Sequence, residues 1–271
     1  MKAIILAGGY GTRLQRDLQS DHNGPYKHLL GMPKALLPIG HLPLISHWMK
    51  VLESVDFVDQ TFVLCNDFYL KQFEHWLKDW PGVTLISDGT TSNENRIGAV
   101  GGINLVVEEG NIQDDIMVIG GDTLFYGDFK LANILTEFKE HKSKEAEASL
   151  VLGCQCTEEE TSRFGILEID PVSCRVTAFL EKPGPEITKS RTSCPCFYIF
   201  SKHSLPLIRN FLQENKDGPL KNRDATGHFV HYLFSRQPVF VHNVSSRFDV
   251  GALSSYIECH KYFLEQDQST S

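Results

Sequence analysis

Short apolar runs alternate with stretches of helical period through the first half of the chain. Ala3–Leu6, Thr61–Cys65, Val83–Ser87 and Ile116–Gly120 are rich in β-branched or aliphatic residues and end in turn residues. Each predicts a strand. Runs that are apolar on both faces suit a parallel sheet covered on both sides. Between them lie helical stripes. The clearest opens near Pro43, a favoured first-turn residue, and carries Leu44, Ile45, Trp48, Val51, Leu52 and Val55. Phe68, Tyr69, Phe73, Trp76, Leu77 and Trp80 make a second, Gly98 to Val107 a third, and Leu131, Ile134, Leu135 and Phe138 a fourth. Core packing accounts for all four stripes. Strand–helix–strand repetition predicts an α/β fold with a doubly wound, mostly parallel sheet flanked by helices.

The pattern changes in the second half. Gly165–Asp170 and Arg175–Leu180 flank the turn-like Asp170-Pro171-Val172-Ser173 and read as a hairpin. Pro195–Phe200 and Val239–Val244 read as strands. Leu205–Leu212, Gly227–Ser235 and Ala252–Leu264 read as helices. The polar stretches Gln15–Met32 and Asp217–Thr226 predict loops, and Gln266–Ser271 a frayed tail. The whole chain, 1–271, reads as one domain with small β additions on one side.

Composition narrows the function. The formal net charge is -8 over 271 residues. That balance argues against a general nucleic-acid binder, which needs a basic face for phosphates. No run approaches ~18 apolar residues, so no membrane span is expected. Met1-Lys2-Ala3 enters strand-like sequence without the apolar core of a signal peptide. Seven cysteines, among them Cys65, Cys154, Cys174 and Cys259 in apolar surroundings, suit buried free thiols in a reducing compartment. The expected location is cytoplasmic. Cys154-x-Cys156 and Cys194-x-Cys196 lack the usual zinc spacing, and i, i+2 residues of a strand simply share a face. His228 and His231 share one helical side, where a packing role is the simpler reading.

The sharpest local signal is Leu6-Ala7-Gly8-Gly9-Tyr10-Gly11-Thr12-Arg13-Leu14, a glycine turn directly after the first strand. Leu14 replaces the third glycine of a dinucleotide fingerprint, and no Gly-Lys-Ser/Thr of a Walker loop is present. The glycine turn followed by Pro33-Lys34-Ala35-Leu36-Leu37-Pro38 instead resembles the signature of the sugar-phosphate nucleotidyltransferases. "GGDTLF" (Gly120–Phe125), "FGILEID" (Phe164–Asp170), "FLEKP" (Phe179–Pro183), "CFYIF" (Cys196–Phe200) and "RFDVGA" (Arg247–Ala252) follow in that family's order. The resemblance runs nearly the whole chain and is nearest the short glucose-1-phosphate thymidylyl- and uridylyltransferase type.

The resemblance implies a Rossmann-like fold in which residues 1–125 mainly bind nucleotide and 126–265 mainly bind sugar phosphate. It implies transfer of a nucleotidyl group from UTP or dTTP to a hexose 1-phosphate. Such a reaction depends on positioning and on neutralising charge. By this likeness Leu6, Ala7, Gly8, Gly9, Gly11 and Thr12 bring backbone to the triphosphate. Arg13 and Lys34 hold its phosphates, and Asp122 and Asp249 share Mg2+. Lys182 neutralises the sugar phosphate, Glu181 accepts a sugar hydroxyl, and Gly165 and Tyr198 border the sugar. Asn95 and Gly98 fall where the family reads the base. Asn93-Glu94-Asn95-Arg96 departs from the commoner thymidylyltransferase segment there, leaving the base open. The long gap between Arg13 and Lys34 suits a lid or a tolerated surface insertion, the latter favoured. Family members often form dimers or tetramers; the sequence leaves the oligomeric state open. Two rival readings stand: a cytidylyltransferase acting on phosphocholine, and a binding-only regulatory relative. The first needs an aromatic cage for choline; the second should have lost a phosphate or metal residue.

Overall fold

The computed structural model describes residues 1–21 and 24–269. At its centre lies a mixed sheet. Strand Lys2–Leu6 pairs in parallel with Gln60–Cys65 on one side and Ile116–Gly120 on the other, and Gln60–Cys65 pairs in parallel with Val83–Ser87. Beyond Ile116–Gly120 the sheet turns antiparallel through Phe197–Phe200 and then Ser149–Gln155. The hairpin of Gly165–Ile169 and Val176–Glu181 forms the far edge, joined through the short strand Thr192–Ser193. Val239–Val244 lies parallel to Ser149–Gln155.

The central strands alternate between two cores. Ala3, Ile5, Val63, Met117, Ile119 and Phe197 point into one apolar layer. Ile4, Phe62, Leu64, Val118 and Tyr198 point into the other. This is the strand period of two carried out on both faces. The first layer is closed by helices Leu44–Glu53, Leu70–Leu77 and Leu131–Lys144. The second is closed by Ala99–Glu109, Leu205–Glu214 and Thr226–Phe234.

Several expectations need correction. The stretch 15–32 is not simply loop: a helix spans Thr12–Ser20, burying Leu14 and Leu18, and a turn of 3₁₀ helix covers Lys27–Leu29. Polar residues dominate this helix, so only two apolar positions marked it. His22 lies in that stretch, outside the described residues. The predicted loop 217–226 holds the short helix Lys221–Asp224. The predicted tail is helical through Ser269, the end of Leu253–Ser269; residues 270 and 271 lie outside the described residues. Val55 falls beyond its helix, and Phe68 is exposed, where its ring meets those of Tyr10 and Tyr69. Cys174 is exposed rather than buried, in a tight turn with φ 57°. The sequence also hid a two-stranded antiparallel ribbon, Thr123–Tyr126 with Ser246–Asp249. Its partners are more than a hundred residues apart, beyond the reach of local pattern.

Candidate active site

A cleft of about 350 Å3 opens at the carboxyl ends of the parallel strands, where ligands of open α/β sheets bind. Leu6, Gly8 and Gly9 line one wall, and Gly165, Glu181 and Lys182 the other. An adjoining recess is lined by Ala7, Gly9, Lys34 and Asp122.

The glycine turn is held from below. Ala7 N–H donates to Leu64 O at 2.8 Å, and Asn66 Nδ2 donates to Gly8 O at 2.9 Å. Gly11 has φ +62°, a conformation glycine tolerates best, and the helix carrying Thr12 and Arg13 begins after it. Lys34 sits in a 3₁₀ turn, Lys34–Leu36, whose following segment is anchored from the last helix: Tyr256 Oη donates to Pro38 O at 3.0 Å.

Asp122 follows strand Ile116–Gly120, and backbone contacts fix its position. Gly121 N–H bonds Leu6 O at 2.9 Å; Trp48 Nε1 donates to Thr123 O at 2.8 Å. Val250 N–H donates to Asp122 O at 2.8 Å, and Asp249 pairs with Thr123 in the ribbon. Two carboxylates that are 127 positions apart therefore stand side by side. Asp249 reaches solvent on one side but is ringed by protein on the other. Loss of water there, and then the Asp122 charge, raise its pKa against the opposing pull of Lys34, Arg247 and Arg13. Lys34 Nζ lies 3.0 Å from Asp122 Oδ2. A methyl group at Gly251 would lie 3.3 Å from Asp249 Oδ1 and 3.6 Å from Arg13 Nη1, so Arg13 reaches the same corner from its exposed helical turn.

Across the cleft, Lys182 has φ 50°, a strained conformation for a side chain other than glycine, and its N–H bonds Phe164 O at 3.1 Å. Its ammonium is 3.7 Å from Glu181 Oε1. Tyr198 is buried, and its hydroxyl bonds Thr226 Oγ1 at 2.8 Å. Gly165 lines the cleft and has a packing role as well. A side chain there would overlap the Phe179 ring, as would one at Gly227, so these glycines make room for Phe179. Asn95 is not brought into the cleft: its exposed side chain caps its own turn through Ser92. Neighbouring Arg96 and Gly98 do line the cleft.

Other cleft residues were missed. Asp88 follows strand Val83–Ser87, and a carboxylate at a strand's carboxyl end was a readable signal. Its Oδ1 accepts from Thr90 N–H and Oγ1; burial raises its pKa. Thr226, Gly227 and Asp224 sat at the edge of a predicted loop. Cys196 lines the cleft, and burial pushes its thiol up to about 12, which favours the protonated form. Among the described residues no three His, Cys, Asp or Glu side chains converge as a metal cluster. The Asp122 and Asp249 carboxylates are nonetheless hard oxygen donors of the kind Mg2+ takes.

A glycine turn and a Lys–Asp–Asp corner at the carboxyl edge of a doubly wound sheet define an α/β protein with charged side chains gathered at one corner of its cleft. A family model described as Nucleotidyl transferase matches residues 2–266, and the chain belongs to that family. A putative mannose-1-phosphate guanyltransferase of Sulfolobus acidocaldarius is 31% identical over 208 residues, covering 77% of this chain and 50% of the relative. Mannose-1-phosphate guanylyltransferase 1 of Arabidopsis thaliana is 29% identical over 185 residues, 68% of this chain and 45% of the relative. The chain spans about half the length of these relatives. A UTP–glucose-1-phosphate uridylyltransferase of Synechocystis is 25% identical over 98% of this chain and 64% of its own. Among solved structures, UDP-glucose pyrophosphorylase complexed with UDP-glucose superposes with TM-score 0.74 at 19% identity, over 98% of each chain. A putative glucose-1-phosphate thymidylyltransferase from Bacillus anthracis gives 0.72 at 21% identity, over 98% of this chain and 96% of its own. These likenesses establish the fold. Among the described residues no helix is long and apolar enough to cross a membrane.

Proposed function

We propose that the protein forms a nucleotide sugar and pyrophosphate from a nucleoside triphosphate and a hexose 1-phosphate. The observation that carries this reading is the meeting of Lys34, Asp122, Asp249 and Arg13 at one corner of a cleft whose far wall holds Glu181 and Lys182. A sugar-phosphate oxygen bonds to the α-phosphorus as the bond to the β-phosphate oxygen breaks. Both reactants are polyanions, so the protein's task is to hold them in line and neutralise charge. Arg13 and Lys34 hold the leaving pyrophosphate. Lys182 pairs with the attacking phosphate, and Glu181 accepts a sugar hydroxyl. Asp122 and Asp249 would hold a divalent cation, Mg2+, which would offset the charge of the phosphates.

The cleft favours sugar over phosphocholine. Three rings line it, but each is engaged: Arg247 covers Phe164 at 4.4 Å, Phe179 fills the space left by two glycines, and Tyr198 is bound to Thr226. Among the described residues the cleft keeps no free cage for a quaternary ammonium.

For the base, UTP and dTTP follow from the sequence resemblance. A second reading, GTP, is favoured by Asp88. A carboxylate suits a base edge that presents adjacent N–H donors, as guanine does, and is repelled by the carbonyls flanking the single N–H of uracil and thymine.

The test is pyrophosphate release with Mg2+, crossing UTP, dTTP, GTP, CTP and ATP with glucose 1-phosphate, mannose 1-phosphate and phosphocholine. Release that needs both a nucleotide and a sugar phosphate is expected. Release with phosphocholine alone, or with no pair, overturns the proposal.

A further inference from the structure

The two walls of the cleft are joined at one side by an ion pair. Arg96 belongs to the turn ahead of helix Ala99–Glu109 and Asp224 to helix Lys221–Asp224, and both line the cleft. Arg96 Nη2 and Nε donate to Asp224 Oδ2 at 2.9 and 3.2 Å. Arg96 Nη1 donates to Asn93 O at 2.7 Å, which fixes the guanidinium on its own turn. The pair is separated by 128 positions in sequence.

The backbones meet beside it. Gly98, at φ +83°, lies so close to helix Lys221–Asp224 that a side chain would stand 3.0 Å from Arg223 O and 3.1 Å from the Asp224 Cα. Arg223 Nη1 in turn bonds Lys216 O at 3.0 Å and closes the Lys216–Arg223 turn. Just beyond Asp224 and Ala225 come Thr226, which bonds Tyr198, and Gly227, packed against Phe179 and Glu181. Only Ala225 separates the ion pair from the residues that border Tyr198 and Glu181.

We infer that Arg96 and Asp224 are positioning residues: the pair fastens the base-side turn to the segment that seats the sugar phosphate, so the nucleotide wall sets the geometry of the sugar wall. The inference rests on the proposed reaction for its kinetic consequence but not for its structural one. An ion pair about one-third exposed is alone worth little stability. Here it has leverage because the segment it holds lies one residue from the substrate wall, and small misplacement there carries to the bound ligand.

Hydrogen exchange and kinetics together test it. In the protein without substrates, Arg96→Ala and Asp224→Ala should each raise amide exchange across 216–228 and leave the central strands unchanged. In the assay, each variant should raise KM for the sugar 1-phosphate roughly three- to tenfold, with a smaller change in KM for the nucleotide. The double alanine variant should be no worse than either single one. The charge swap Arg96→Asp with Asp224→Arg should recover most of the loss. If Arg96→Ala raises nucleotide KM alone while Asp224→Ala is silent, Arg96 is a nucleotide contact and the inference falls. Unchanged exchange across 216–228 also overturns it, whatever the kinetics. A wild-type protein with no transfer activity would sink the proposed reaction, while the exchange result would still decide the fastening.

Discussion

The Lys34 ammonium stands 3.0 Å from Asp122 Oδ2, inside the recess that also receives Ala7 and Gly9 of the glycine turn. Beside Asp122 is a second carboxylate, Asp249, whose pKa is raised by the loss of water on its protein side and by its neighbour's charge. Lys34, Arg247 and Arg13 supply the cations of this corner, yet the two carboxylates still raise the cost of carrying both negative charges. Such a corner is suited to accept a further cation.

Asp122→Asn keeps the side-chain shape and removes the charge. Turnover should fall about 10²–10³-fold, the range for losing a group that acts on developing charge. The backbone bonds that hold residue 122 are untouched, and Asp122 is 38% exposed, so circular dichroism and Tm should change little. Near-normal turnover would remove Asp122 from the reaction.

Lys182 separates strain from charge. At φ 50° a side chain costs roughly 1 kcal/mol that glycine does not pay. Lys182→Gly and Lys182→Ala both remove the ammonium, so both should raise KM for the sugar 1-phosphate. Only Lys182→Gly sheds the strain, and it should be the more stable of the two by about 1 kcal/mol. Denaturant melts of both proteins check this. Equal stabilities would mean the turn relaxes at no cost.

What was legible in the sequence follows the range of the forces involved. Strand Val83–Ser87 and strand Ile116–Gly120 are found at the bounds read from their apolar runs, because burial on both faces leaves a local record. The stripe Leu131, Ile134, Leu135 and Phe138 is fully buried for the same reason. Helix Thr12–Ser20 was missed because only Leu14 and Leu18 face inward. The ribbon that sets Asp249 beside Asp122 was hidden, since pairing across more than a hundred residues has no local signature. The site was legible as a set of motifs but not as a shape. Asn95 and Arg96 are adjacent in sequence, and only backbone direction decides that Arg96 faces the cleft while Asn95 caps its own turn. Gly165 and Phe179 were each visible within a motif, but their packing against one another was not.

Gly227→Ala should show how closely that wall is packed. The added methyl would overlap the Phe179 ring and crowd Glu181. Overpacking of this kind costs about 1–3 kcal/mol. Tm should fall by a few degrees, and KM for the sugar 1-phosphate should rise as Glu181 is displaced. Phe179→Leu added to Gly227→Ala frees the space and should restore part of the lost stability. If the double variant is less stable than the sum of the two single losses, the clash does not lie at Phe179.

Glu137 and His242 couple stability to acid. His242 Nδ1 meets Glu137 Oε2, and this hydrogen bond is the leading cause holding the Glu137 pKa below its ordinary value of 4.5; His141 adds its charge from the same helix. Strand Val239–Val244 and helix Leu131–Lys144 are joined at this point. A carboxylate whose pKa is lower in the folded protein binds protons more readily when unfolded. Its contribution is therefore complete above the ordinary value and disappears as pH falls through the lower folded value. Glu137→Gln cannot titrate. Its Tm should already be lower than wild type at neutral pH, and the gap should close as the medium is taken below pH 4.5. Thermal melts of both proteins across that interval measure the gap directly. A constant offset at every pH would show that the bond to His242 does not depend on the Glu137 charge.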